Sequence, residues 1–377
     1  MRFKPADIRY FFFLIAIFLA LPIPMHSFSG GLLWTSPYIL LNSVLAVKGL
    51  AILNLLGIIS LVIIFFRNRW ICRYMCPLGV VCDWVSKAGR DKKTIRLNLN
   101  KYLVIFSVVV AIFGTPVLMF LDPFNIFHMS LEVSRTGNLL AGFLKASLLF
   151  GIILLNLIFP NIWCRSICPL GGLQLLMYDL KKWFWKPAID KKPKAIERRL
   201  LIAGISGIVA GIALSRIPYL SNIKNYRPPG ALQEPDLNLI CIRCGNCSSA
   251  CPTNIIRQSE DTRKIISLLT PVVDFSESYC LPECTFCGEV CPSGAITKFT
   301  REEKKRLFMA SVLIDVDHCW LQQQKDCDLC RFHCAYNAIE IRISDGNPVA
   351  LPVLDKAKCV GCAACKIVCP AEVIRMA

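Results

Sequence analysis

The chain is 377 residues long and 55% hydrophobic, with 43 Lys and Arg against 26 Asp and Glu. That is too apolar for an ordinary soluble enzyme, so a membrane portion is expected. From Ser221 onward the two signs balance at 18 each, so the whole excess of +17 lies in residues 1–220, beside hydrophobic segments. Basic residues in that position follow the positive-inside pattern and argue against a nucleic-acid-binding face.

Five hydrophobic segments follow in chain order: Tyr10 to about Met25, Ala46–Phe66, Tyr102–Leu121, Leu139–Phe159 and the short, glycine-rich Leu200–Ser215. Arg2, Lys4 and Arg9, together with the basic stretches 67–101 and 161–199, predict a cytoplasmic N-terminus and two cytoplasmic loops. Within those loops a motif repeats. Trp70-Ile-Cys72-Arg73-Tyr-Met-Cys76-Pro77-Leu78-Gly79 recurs as Trp163-Cys164-Arg165-Ser-Ile-Cys168-Pro169-Leu170-Gly171. Each copy follows two hydrophobic segments, which implies duplication and a pseudo-symmetric bundle that brings the loops together. Cys72, Cys76, Cys164 and Cys168 then read as one metal or cluster site, or a thiol relay, at the cytoplasmic end. Structural turns with small buried cysteines are the bland alternative. Cys82 has no counterpart in the second copy and reads as a bystander.

Asp122, His128 and Glu132 fall on one connection and could take protons from a quinol. A solvated loop is the plainer expectation for them. With His26 and His128 the only histidines near the bundle, haem is not expected. Glu197-Arg198-Arg199-Leu200-Leu201 ahead of the fifth segment resembles a twin-arginine export signal, here retained as an uncleaved anchor. If that segment spans, everything after it lies outside the cytoplasm.

The last third carries four cysteine runs. They read Cys241-x2-Cys244-x2-Cys247-x3-Cys251-Pro, Cys280-x3-Cys284-x2-Cys287-x3-Cys291-Pro, Cys319-x7-Cys327-x2-Cys330-x3-Cys334, and Cys359-x2-Cys362-x2-Cys365-x3-Cys369-Pro. In the bacterial ferredoxin run three thiolates bind one 4Fe–4S cluster and the fourth serves its neighbour. Four clusters are therefore predicted. Cys241, Cys244 and Cys247 take Cys291, and Cys280, Cys284 and Cys287 take Cys251. Cys319, Cys327 and Cys330 take Cys369, and Cys359, Cys362 and Cys365 take Cys334. The third run is irregular, with Ala335 where proline is usual. Val312–Asp315 and Ala338–Ile343 are the strand candidates. The predicted fold is thus an α-helical membrane bundle of four helices (1–199), a fifth anchor helix (200–220), and α+β tandem ferredoxin-like modules (221–377).

With these motifs the membrane half resembles the NapH/MauN-type membrane ferredoxins, and more distantly NosR. The part from Arg198 on resembles the NapG/MauM-type four-cluster ferredoxins, through Arg198-Arg199, Arg227-Pro-Pro-Gly-Ala231 and Cys241-Ile-Arg-Cys-Gly245. The resemblance implies oxidation of quinol from the membrane quinone pool and delivery of electrons to an extracytoplasmic redox partner, a reductase or multihaem cytochrome. The expected setting is the cell membrane, multi-pass, in contact with lipid and with the ferredoxin part outside. An electron-donating assembly factor for a metalloenzyme, and a cytoplasm-facing subunit of a larger redox complex, remain open as alternatives.

Overall fold

A computed structural model describes residues 5–20, 30–49, 55–89, 99–132, 139–185, 198–216, 225–234, 236–261, 265–343 and 349–377. Among the described residues ten α-helices make up the first half. They are α1 (Pro5–Ala20), α2 (Gly31–Trp34), α3 (Pro37–Val47), α4 (Leu55–Phe66), α5 (Pro77–Ala88), α6 (Asn100–Ile112), α7 (Pro123–Leu131), α8 (Leu139–Ile158), α9 (Pro169–Trp185) and α10 (Arg198–Arg216). Helix α6 lies between α9 and α10, while α5 and α7 pack on α8. Proline in the first turn starts α3, α5 and α7, where its missing N–H has no intrahelical partner to lose.

The expected membrane bundle is overturned: among the described residues no helix is long and apolar enough to cross a membrane. Segment hydropathy cannot see where a helix breaks. The third segment is helical only to Ile112, turns at Gly114 (φ 82°) and resumes as a 3₁₀ turn over Val117–Leu121. Helices α1, α4 and α6 have 16, 12 and 13 residues. At about 1.5 Å per residue all three fall short of a hydrocarbon core about 30 Å thick. Helix α8 has 20 residues but buries Lys145 and Asn156. Helix α10 has 19, opens on two arginines and carries three glycines. The multi-pass placement, and the extracytoplasmic side assigned to the ferredoxin part, fall with the spans.

The second half begins with two short helices, α11 (Asp236–Ile240) and α12 (Asn246–Ala250). Among the described residues three two-stranded antiparallel sheets follow. Strand β1 (Ile256–Gln258) pairs with β2 (Pro271–Val273), β3 (Val312–Ile314) with β6 (Ile374–Met376), and β4 (Ile339–Ile343) with β5 (Ala350–Leu354). In the first sheet Ile256 faces Val273, and in the second Ile314 faces Ile374. Two of the strands lie where the sequence predicts them.

The apolar core is shared across both halves. Ile242 and Cys244, from the first cysteine run, belong to the same buried cluster as Leu33, Phe124, Ile126 and Leu170. Val360 and Ala363, from the fourth run, belong with Cys251 and Cys280. Arg227 clamps the start of the ferredoxin part. It donates to Glu234, to Thr270 Oγ1 at 2.9 Å and to the Pro271 carbonyl at 2.6 Å. Gly230 (φ 74°) lets the chain pass Phe299, since a β-carbon there would stand 2.6 Å from the ring.

Candidate iron–sulfur centres

All 21 cysteines are free thiols. Cys241, Cys244, Cys247 and Cys291 line one cavity, and Cys251, Cys280, Cys284 and Cys287 another. Cys319, Cys327, Cys330 and Cys369 line a third. Cys334 faces Cys359, Cys362 and Cys365 closely enough to raise their pKa values, so these four also converge. The structure therefore brings together the same quartets that the crossed arrangement groups.

Burial pushes ten of these thiols up from their ordinary pKa, among them Cys330 to about 11 and Cys365 to about 12. A buried thiolate needs compensation. Backbone N–H groups supply part of it: Arg243 donates to Cys241 Sγ at 3.4 Å, Ile296 to Cys291 Sγ at 3.4 Å and Ala338 to Cys334 Sγ at 3.2 Å. Among the described residues no trio of Cys, His, Asp or Glu side chains closes on a single ion. Quartets spread around a cavity, with N–H groups aimed at sulfur, fit a larger iron–sulfur group.

The loops owe their shape to left-handed backbone. In the first run Arg243 (φ 60°) and Gly245 (φ 86°) take that conformation; in the fourth, Gly361 (φ 74°) and Ala363 (φ 68°) do so at the matching positions. Three residues after each run's last cysteine stand Asn254, Gly294, Asn337 and Glu372, all at positive φ. The irregular third run thus keeps the same exit turn with Ala335 in place of proline. Non-glycine residues in this region cost about 1 kcal/mol or more, so the folded loop must hold them there.

The repeated motif folds the same way twice. Ile71–Met75 and Trp163–Ile167 each form one π-helical turn, and Cys76 and Cys168 then stand immediately before α5 and α9. Gly79 and Gly171 let each helix start close to its own loop, with the Cys72 and Cys164 carbonyls 3.3 Å from where a β-carbon would be. Cys76 and Cys168 are buried, each within electrostatic reach of Cys72 and Cys164. Gln174 donates to Cys72 Sγ at 3.1 Å. Cys82 is no distant bystander: its thiol is hydrogen-bonded with that of Cys164 and faces Cys76 and Cys168. The sequence signal was slim, a cysteine one and a half turns into α5.

Asp122, His128 and Glu132 are not on a solvated loop. All three are buried, at 0%, 1% and 3% exposure. Asp122 caps α7, accepting from Phe124 N at 2.9 Å, Asn125 N at 3.3 Å and Ser36 Oγ at 2.6 Å. Past the cap, α7 meets the first cysteine run. Asn125 Nδ2 donates to the Ile242 carbonyl at 3.0 Å, His128 Nε2 meets Asn246 Oδ1 at 2.6 Å, and Ser249 Oγ donates to both Glu132 oxygens at 2.9 and 2.8 Å. Sequence reasoning missed this role, because no local pattern reveals a contact more than 110 residues away.

These cavities and loops define a class, the multi-cluster 4Fe–4S ferredoxin-type electron carriers. Family models agree. A 4Fe-4S dicluster domain matches residues 240–295, and a 4Fe-4S binding domain matches 352–375. Another 4Fe-4S binding domain model matches 284–308 and also 49–96 and 142–187, the two stretches that carry the repeated motif. The methylamine utilization ferredoxin-type protein MauM of Methylorubrum extorquens is 31% identical over 193 residues, 47% of this chain and 86% of that protein. The ferredoxin-type protein NapG of Escherichia coli is 27% identical over 195 residues, 48% of this chain and 84% of that protein. NapF of the same organism is 28% identical over 165 residues, 44% of this chain and 90% of that protein. No solved structure matches. The chain belongs to the MauM/NapG-type ferredoxin family through its ferredoxin part. The NapH/MauN likeness of residues 1–199 rests on the repeated motif alone.

Proposed function

We propose that the four quartets each ligate one 4Fe–4S cluster and that the protein passes electrons along them in line. The observation that carries this is the crossed grouping of thiols around three cavities and a fourth convergent set. When bound, such a cluster supplies reversible one-electron storage at a potential set by its ligands and surroundings. Residue contacts support an order. Ile242, between Cys241 and Cys244, is buried in the core that holds Cys76 and Cys168. Cys280 N donates to the Cys362 carbonyl at 3.0 Å, which joins the second quartet to the fourth. We assign Cys72, Cys76, Cys164 and Cys168 to a further redox site at the head of this series. On the family resemblance we take quinol as the donor and a redox protein as the acceptor.

Iron and acid-labile sulfide analysis of the anaerobically reconstituted chain tests the count. Cys72→Ser combined with Cys164→Ser should leave about sixteen irons, four for each quartet. Fewer than about twelve would rule out four clusters. Rapid-mixing oxidation of a water-soluble quinol tests the donor separately.

A further inference from the structure

The first quartet is covered in part by the helical half. Its loop lies against the helical half, and that half places two buried ionisable side chains beside the loop. The Glu132 carboxylate and the Lys145 ammonium each stand 3.6 Å from where a β-carbon on Gly245 would be. Gly245 sits between Cys244 and Cys247, so both groups reach the backbone of the ligand loop itself. Lys145 is 2% exposed; burial lowers its pKa, while Glu132, Cys244 and Cys247 beside it favour the charged ammonium. Glu132 is fixed in orientation by the Ser249 hydroxyl, which donates to both its oxygens. His128, the other titratable group of α7 at this face, is kept neutral by burial. From the ferredoxin side Arg243 donates to the carbonyls of Leu268, Ile266 and Cys241, and both it and Arg227, which is paired with Glu234, stand within electrostatic reach of Cys241; they are a fixed positive background common to every variant below.

An ion pair or a lone charge costs desolvation free energy when buried, and a fold that only needed adhesion here could use apolar contacts. A cluster gains one unit of negative charge on reduction. A cation a few ångströms away in a low-dielectric interior favours the reduced form, and an anion opposes it. We propose that Lys145 and Glu132, supplied by the helical half, set the reduction potential of the cluster bound by Cys241, Cys244, Cys247 and Cys291. Lys145 raises it and Glu132 holds that rise in check. The inference rests on the cluster assignment above.

The test is a redox titration of the reconstituted full-length protein followed by electron paramagnetic resonance. Lys145→Met should lower the midpoint of one cluster by about tenfold in its reduction equilibrium, which is 59 mV for one electron. Lys145→Arg should keep the wild-type value, and Glu132→Gln should move the same cluster upward. The remaining clusters should not shift. If Lys145→Met and Lys145→Arg shift it alike, packing rather than charge is responsible and the proposal fails. If no variant moves any midpoint while all clusters are present, it also fails. Should Lys145→Met not assemble, Glu132→Gln decides: a downward or absent shift overturns the proposal. A low iron count in the wild type would instead count against the cluster assignment.

Discussion

At the scale of single residues, burial sets the chemistry of Asp122. Enclosed completely, its carboxyl is pushed up to about 6, although Ser36 and two backbone N–H groups favour the ionised form. The folded protein thus binds this proton more tightly than the unfolded chain does. Its contribution to stability is full below the ordinary carboxylate range near 4 and is lost as pH rises through about 6. Comparing wild type with Asp122→Asn by denaturant titration at pH 5 and 7, we expect the wild-type advantage to shrink by about 1 kcal/mol. An advantage that grows with pH would show that the carboxylate is ionised in place. Lys304 illustrates the same economy in the second quartet. Buried at 1% exposure, it donates to the carbonyls of Leu281 and Cys284 and ties the cysteine loop to the following helix.

At the scale of elements, glycine spacing decides how closely helices approach. A β-carbon on Gly172 in α9 would stand 2.2 Å from the Asn100 carbonyl at the start of α6, whereas one on Gly151 in α8 would meet nothing within 4 Å. Gly172→Ala should therefore push α9 off α6 and cost about 1–3 kcal/mol. Gly151→Ala should be neutral or stabilise by up to about 1 kcal/mol through helix propensity. Thermal melts of the two variants separate these outcomes. Elements also show where sequence reasoning works. The thiol quartets were legible because the spacing of Cys241, Cys244 and Cys247 is local and the bacterial ferredoxin pattern assigns each run's last cysteine to the neighbouring group. The helices were misread because a hydropathy window over Tyr102–Leu121 averages across Gly114 and the 3₁₀ turn beyond it. The partners of Asn125, His128 and Glu132 were illegible, since each contact joins positions more than 110 apart and depends on the assembled fold.

At the scale of the whole molecule, the two halves share one core rather than a surface. Ile242 and Cys244 are buried among helical-half residues, and Asn125, His128 and Glu132 pair across the boundary with the Ile242 carbonyl, Asn246 and Ser249 respectively. Separate unfolding would break those pairs and expose to water the apolar core that both halves share. We expect far-ultraviolet circular dichroism, which follows the helices, and cluster absorbance to be lost in one coincident thermal transition. Two resolved transitions would mean that the halves are energetically independent.

The polar seam along α7 is small and depends on a few directional contacts. As an encounter between two free molecules it would have to overcome the lost freedom of both partners. Here the stretch 217–224 joins α10 to the first ferredoxin module within one chain. Covalent continuity raises the effective concentration of the two faces above that of two free molecules. With the shared core and covalent continuity keeping the ferredoxin part seated, the polar contacts of the seam need add little affinity and are free to serve electrostatics.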